Sequence, residues 1–161
     1  MTYYDDIAEG YDELHFEEQK KKAQIILKEI KIKKKDTLLD VGCGTGKVTE
    51  LFPCKAWGVD PSEKLLAKAK IPHLKGTAEQ LPFEDNSFDI VLSLTASHHT
   101  DIDKALSEMK RVAIQYIVIS VLKKAKNFKT IDKKINESLL VTKQIDEEHD
   151  RIYICHLQRN V

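Results

Sequence analysis

Apolar residues along this chain alternate between two spacings. Over residues 17–30, Ala23, Ile26, Leu27 and Ile30 recur three and four positions apart, the stripe of an amphipathic helix. Residues 37–41, Thr-Leu-Leu-Asp-Val, then form a short apolar run that ends in glycine-rich sequence, and further runs follow at 57–60, 73–75, 89–94 and 116–122. These predict strands, and the near-continuous apolar character of 89–94 fits a strand covered on both faces. Between them the sequence predicts helices. One opens near Lys47, one follows Ser62 to about Lys70, and one over 103–111 turns Ala105, Leu106 and Met109 inward. Ser62 is a good N-cap, and Glu63 in the first turn suits the helix dipole.

The last part of the chain predicts a helix over 131–139 and two strands, 141–145 and 151–157, joined by the polar turn Asp146-Glu147-Glu148-His149-Asp150. That hairpin makes one strand antiparallel to the others. The pattern describes an α/β fold in a single domain over 1–161: a doubly wound, mostly parallel seven-stranded sheet with a C-terminal antiparallel hairpin strand and helices on both faces. The segment 1–35 is expected as a helical cover over the ligand site and 36–161 as the core. No internal repeat, low-complexity stretch or linker divides the chain.

The chemistry is concentrated where the first strand meets the glycines. In Leu38-Leu39-Asp40-Val41-Gly42-Cys43-Gly44-Thr45-Gly46-Lys47, Gly42 and Gly44 carry no Cβ, so the backbone can turn sharply and approach a ligand lying across the strand ends. The second strand ends in Asp60, whose carboxylate can accept from both hydroxyls of a ribose, or cap the helix that follows, or both. A dinucleotide fingerprint Gly-x-Gly-x-x-Gly would need glycine at position 47; Lys47 stands there, and the third glycine comes one residue early at Gly46. Asp40 puts negative charge beside the turn that would cradle a pyrophosphate. The site therefore favours a nucleoside with an ammonium or sulfonium tail over a dinucleotide.

These residues also carry a resemblance. Leu39-Asp40-Val41-Gly42-Cys43-Gly44-Thr45-Gly46 resembles the first motif of the class I S-adenosylmethionine (SAM)-dependent methyltransferases, and Gly58-Val59-Asp60-Pro61-Ser62 resembles their second. Gly76-Thr77-Ala78-Glu79-Gln80-Leu81-Pro82-Phe83 and the residues on to Val91 are similar to the segment before the fourth strand in the ubiquinone-biosynthesis-like, methyltransferase type 11 branch. Tyr4-Asp5-Asp6-Ile7-Ala8-Glu9-Gly10-Tyr11-Asp12 is similar to that branch's amino-terminal segment.

The resemblance implies a Rossmann-like fold with SAM as cofactor. It places ribose at Asp60 and Pro61, the methionine part near Asp40, Gly42, Cys43 and Gly44, and adenine near Thr77, Ala78 and Glu79. Relatives commonly have an aspartate where Thr77 stands, so Glu79 or the backbone at Ala78 is left to accept from the adenine amino group. Tyr11 occupies the place of an aromatic that closes over the cofactor, or packs as an ordinary amphipathic residue. Ser93 and Leu94 are expected where the sulfonium meets the acceptor. His98 is a candidate catalytic base, or a residue that shapes the pocket. Relatives also join the helix after strand four to strand five through a Lys-Pro-Gly-Gly-like turn, whereas Arg111-Val112-Ala113-Ile114-Gln115-Tyr116 makes that join with neither glycine nor proline.

Composition narrows the partners. The 26 acidic and 26 basic residues cancel, so bulk charge draws the chain to neither nucleic acid nor membrane. The lysine clusters at 20–22, 31–35 and 123–134 are interspersed with Glu17, Glu18, Glu29 and Asp36 and lack stacking aromatics, which describes a solvated surface rather than an RNA-binding face. No apolar run is long enough to span a bilayer and no signal segment opens the chain, so a cytoplasmic protein is expected. The 3 cysteines are odd in number and lack ligand spacing, so reduced thiols and no metal are expected, with Cys43 a small loop residue rather than a nucleophile.

The function these features describe is a methyltransferase that moves the methyl group of SAM by direct displacement. A small-molecule acceptor, methylated on carbon or oxygen, is favoured. A related branch with a His-His pair after strand four methylates wobble uridines of tRNA with a small zinc-binding activator protein, so a tRNA acceptor and such a partner stay open. So does a SAM-binding protein without catalysis. The Asn/Asp-Pro-Pro-Tyr signature of amino-group methyltransferases is absent.

Overall fold

The computed structural model describes residues 8–95 and 100–158, with side chains from residue 15 onward. The elements run α1 (Ala8–Glu29), β1 (Thr37–Val41), a 3-10 turn (Thr49–Leu51), β2 (Lys55–Asp60), α2 (Glu63–Leu66), β3 (His73–Lys75), β4 (Phe88–Leu94), α3 (Ile102–Val112), β5 (Ala113–Leu122), α4 (Phe128–Ser138), β6 (Val141–Asp146) and β7 (Asp150–His156). They build one seven-stranded sheet in the order β3-β2-β1-β4-β5-β7-β6. Neighbours from β3 to β5 pair in parallel, and β7 runs antiparallel to both β5 and β6. The chain starts at the centre, winds outward through β2 and β3, then crosses to β4. The reversal falls between β1 and β4, where open α/β sheets hold ligands.

The pleat divides the core in two. On one face Val91, Ile117, Ile119 and Tyr153 pack against Leu106 and Met109 of α3 and Ile131 and Ile135 of α4. On the other, Leu38, Ile90, Leu92 and Val118 meet Ala23, Ile26 and Ile30 of α1 together with Phe52. Alternate residues of β4 thus serve opposite cores, which is why its sequence is mostly apolar.

Three expectations are corrected. The helix predicted from Lys47 is only the 3-10 turn Thr49–Leu51. Pro53 disfavours a helical conformation at the residue before it, and Phe52 is extended at φ −85, ψ 123. Thr49 is also drawn inward, its hydroxyl donating to Asp40 Oδ2 at 2.7 Å. The helix after Ser62 is capped as expected, Ser62 Oγ accepting from the Leu65 amide, but it ends at Leu66, because the chain must return to β3 at His73.

The join at Arg111–Tyr116 is not a turn. Helix α3 ends at Val112 and Ala113 already begins β5. The Arg111 guanidinium fixes this corner by donating to the Phe83 and Leu81 carbonyls at 2.8 and 3.1 Å and to Asp85 and Glu108. A five-donor planar fork thereby does the positioning that a glycine-proline turn would do by backbone shape.

Candidate active site

The carboxyl ends of the central strands open into a cleft of about 500 Å³, the size of a small-molecule site. Gly42, Asp60 and Pro61 line it at the β1–β2 side, Thr77, Ala78 and Glu79 beyond β3, and Leu94 and Thr95 after β4. Helix α1 contributes His15, Gln19 and Lys22, and the far end is closed by Leu122, His149 and Asp150. A small recess that shares Gly42 and Leu94 with the cleft adds Asp40 and Cys43.

Backbone geometry builds the β1–β2 side. Gly42 and Gly44 take φ of 83 and 57, a region that glycine enters without the steric cost of a Cβ. The resulting turn lies against β2, with the Gly42 and Cys43 amides both donating to the Val59 carbonyl at 2.8 and 3.1 Å. Asp60 is buried at the end of β2. Its Oδ2 accepts from the Gly44 amide at 2.9 Å and its Oδ1 from the Ser62 amide at 2.8 Å. One carboxylate thus ties the glycine loop to the start of α2. A carboxylate oxygen accepts more than one hydrogen bond, so the same group can hold loop and ribose together.

Two titratable groups sit in the recess. Asp40 is 4 % exposed, and burial pushes its carboxyl up to about 6, with the nearby Asp60 charge adding to the rise and the Thr49 hydroxyl opposing it. Such a carboxyl ionises readily when a cation settles beside it. Burial, then the Asp40 and Asp60 charges, push the Cys43 thiol far above its usual range. A thiol held in its protonated form is no nucleophile. Its place is structural: a Cβ on Gly58 would lie 2.4 Å from Cys43 Sγ, so the loop needs glycine beneath it on β2.

Most residues expected at the site are gathered here: Asp40, Gly42, Cys43, Asp60, Pro61, Thr77, Ala78 and Glu79. Gly44 does not line the cleft, since its contribution is the amide that Asp60 accepts. Ser93 is 1 % exposed and turned away. It shares a sheet face with Val91, so the wall at this strand end is made by Leu94 and Thr95 instead. Tyr11 lies on α1, and its side chain falls outside the described residues, as does His98.

Sequence reasoning missed a second group. Lys22 and Asp150, 2 % and 0 % exposed, form an ion pair of 2.8 Å. Lys22 also donates to Thr95 Oγ1 at 2.7 Å, and Thr95 Oγ1 donates to Asp150 Oδ2 at 2.7 Å. One signal was present: Lys22 lies four residues before Ile26, on the buried stripe of α1, where a lysine is out of place without a partner. Nothing local marks Thr95 or Asp150. Among the described residues no cluster suited to a metal ion occurs, and no helix is long and apolar enough to cross a membrane.

Comparison with known proteins accords with this site. A methyltransferase domain family, Methyltransf_11, matches residues 39–116, which hold the glycine loop, Asp60 and β4. An uncharacterized protein of Methanocaldococcus jannaschii is 33% identical over 93% of this chain and 67% of its own length. The demethylmenaquinone methyltransferase of Staphylococcus aureus is 34% identical over 68% of this chain and 53% of its own length. The chain spans less than half of several other methyltransferase relatives. Among solved structures, the putative methyltransferase in complex with the Trm112 activator from Haloferax volcanii shares the fold, with a TM-score of 0.81, 18% identity and coverage of 97% and 98% of the two chains. Residues 39–116 thus match a methyltransferase domain family, and the chain shares its fold with SAM-dependent methyltransferases of known structure.

Proposed function

We propose that the protein transfers the methyl group of SAM by direct displacement to a small-molecule acceptor. The observation that carries this reading is Asp60, held by the Gly44 and Ser62 amides beside the positive-φ turn at Gly42, at the point where the sheet order reverses. When bound, SAM supplies a methyl carbon already activated by its sulfonium charge. The chain's part is to bind and align. Asp60 takes the ribose hydroxyls, Glu79 or the Ala78 backbone the adenine edge, and the Asp40 carboxylate balances the cationic end. Tyr11 is assigned to closing over the site, and His98 to shaping its acceptor side. Alignment in a preformed cleft lowers the barrier by on the order of several kcal/mol without any protein nucleophile.

A second reading has its own support. The Haloferax volcanii protein of similar fold is in complex with the Trm112 activator, and Trp57 on β2 and Leu74 on the edge strand β3 are large apolar residues that remain exposed. On that reading the acceptor is a tRNA of wobble-uridine type, and a small zinc-binding activator covers the β3 edge. Either way we place the protein in the cytoplasm, with its 3 cysteines as free thiols. Titration calorimetry with SAM, S-adenosylhomocysteine and NAD tests the cofactor. Micromolar SAM binding without an NAD signal is expected, and tight NAD binding would overturn the reading. Transfer of labelled methyl to small molecules or to tRNA, with and without an activator, then separates the two acceptors.

A further inference from the structure

The cleft runs along the sheet edge from β2 to β7. Asp60 and the glycine loop occupy one end, and Asp150, the first residue of β7, stands beside Leu122 at the other. A nucleoside on Asp60 with its cationic end at Asp40 leaves the Leu94, Thr95 and Asp150 end for the group to be methylated. That end is not apolar. Asp150 is wholly buried, and its Oδ2 is committed to Lys22 and Thr95, yet its Oδ1 has no hydrogen-bond partner among the described residues. A buried acceptor atom left without a donor is costly, more so when charged, so a donor is called for at this place. Gln19, which lines this cleft from α1, carries a second buried acceptor, Oε1, in the same condition.

The support of this group is unusual too. Thr95 holds a φ of 63, which a β-branched residue adopts only where its surroundings enforce it. Its amide donates to Ser120 Oγ at 2.9 Å, and its hydroxyl is fixed between Lys22 and Asp150. The backbone is strained in order to set a hydroxyl against one carboxylate oxygen, which leaves the other aimed elsewhere.

We propose that Asp150 is the acceptor-side catalytic residue, its Oδ1 receiving the O–H or N–H of the group that is methylated. This rests on the methyltransferase reading and narrows its substrate class to protic oxygen and nitrogen nucleophiles rather than carbon. As the acceptor's oxygen or nitrogen bonds to the methyl carbon, the carbon–sulfur bond breaks. The sulfur keeps the electron pair, S-adenosylhomocysteine leaves, and the acceptor proton passes to Oδ1 and then to water. A carboxylate oxygen suffices as the acceptor here. An O–H or N–H becomes strongly acidic only as the new bond forms, so the proton moves late. Lys22 and Thr95 are positioning residues: they hold Oδ2 so that Oδ1 has a single direction.

The test is NMR on protein saturated with S-adenosylhomocysteine, with phenol and imidazole as protic probes and anisole and 1-methylimidazole as counterparts lacking the donor. The side-chain carboxyl carbon of Asp150 is expected to shift with phenol and imidazole, which bind at least about tenfold more tightly than their methylated forms. Asp150→Asn removes the charge and Lys22→Met/Asp150→Leu removes the pair while leaving no isolated ion, and in both the preference for protic probes falls. An Asp150 signal that no protic probe moves, or a preference that survives in the double variant, would overturn the proposal. If S-adenosylhomocysteine itself leaves the amides of Gly42, Gly44 and Asp60 unmoved, the cofactor reading fails instead, and the two failures are told apart.

Discussion

The two ends of the cleft are built by opposite means. At the β1–β2 end the ligand surface is backbone: positive-φ glycines, amides that donate to Val59 and Asp60, and one carboxylate only 16 residues from the loop it ties down. At the β4–β7 end it is side chains, drawn from α1, the residue after β4, and β7, across sequence separations of 73 and 55 residues. In the first, peptide groups satisfy one another and Asp60, and the desolvation cost falls on the Asp40 carboxyl. The second takes a lysine and an aspartate out of water, and only their mutual bonds offset that. On the reading proposed above, the backbone end takes the cofactor and the side-chain end meets the group to be methylated.

The sharpest way to break the contrast is through stability. Removing one member of a buried ion pair leaves the other charge uncompensated and costs about 3–5 kcal/mol, whereas replacing both by apolar groups of similar volume is near neutral. Lys22→Met alone is therefore expected to be strongly destabilised in urea unfolding, and Lys22→Met/Asp150→Leu to recover most of the loss. Equal effects in the single and double variants would show that the pair holds α1 on the sheet by packing and not by charge.

At the other end the corresponding change acts on affinity. Asp60→Ala removes the carboxylate that accepts from Gly44 and Ser62, so loop and ribose lose their common anchor. SAM affinity is expected to fall by about 100-fold, the cost of charge-assisted hydrogen bonds lost to two hydroxyls. Asp150→Asn is expected to leave it within about twofold, because Asp150 stands with Leu122 at the other end of the cleft. Calorimetry on both variants would collapse the comparison if Asp150→Asn proved as damaging as Asp60→Ala.

The same contrast governs what could be seen in the sequence. A site made of backbone shape needs glycine at fixed places, so Gly42, Gly44 and the Asp60 that ends the next strand stand out within 19 residues of chain. The strands were legible for a related reason, since burial on both faces forces near-continuous apolar runs such as that of β4. A side-chain site leaves no such trace: Lys22, Thr95 and Asp150 are ordinary residues made special only by the fold that unites them. The errors in α2 and after the glycine loop came from the same source. Local spacing allowed a helix at Lys47, and the short return to β2 with Pro53 before it did not.

A pH titration sharpens the backbone end further. Burial holds the Asp40 carboxyl near 6, and the groups about it are Asp60, Cys43, and His15 and Lys47 of the same recess. A cationic ligand favours its ionised form, so binding expels a proton wherever the apo carboxyl still holds one. SAM affinity is therefore expected to be flat above pH 7 and to fall as pH drops through 6, by about tenfold between pH 7 and pH 5 if bound SAM lowers that carboxyl below about pH 4. Asp40→Asn should remove that slope. Proton release measured by calorimetry in buffers of different ionisation enthalpy checks the sign, and proton uptake on binding would place the cation elsewhere.

The smallest effect probes whether the glycine loop is as rigid as its hydrogen bonds imply. Gly58 has an ordinary strand role, but a Cβ there would meet Cys43 Sγ at 2.4 Å, Cys43 Cβ at 2.8 Å and Ile71 Cδ1 at 2.9 Å. Gly58→Ala therefore overpacks the contact between β2 and the loop, for about 1–3 kcal/mol. Cys43→Ala takes away the nearest atom but not the next, so Gly58→Ala/Cys43→Ala should recover part of the melting temperature and not all of it. The informative quantity is the SAM affinity of Gly58→Ala. If the loop is fixed by the Val59 and Asp60 bonds, the strain stays in the core and affinity changes little while stability falls. If affinity falls with stability, the loop yields first, and the backbone end of the cleft is less preformed than the ion-paired end it faces.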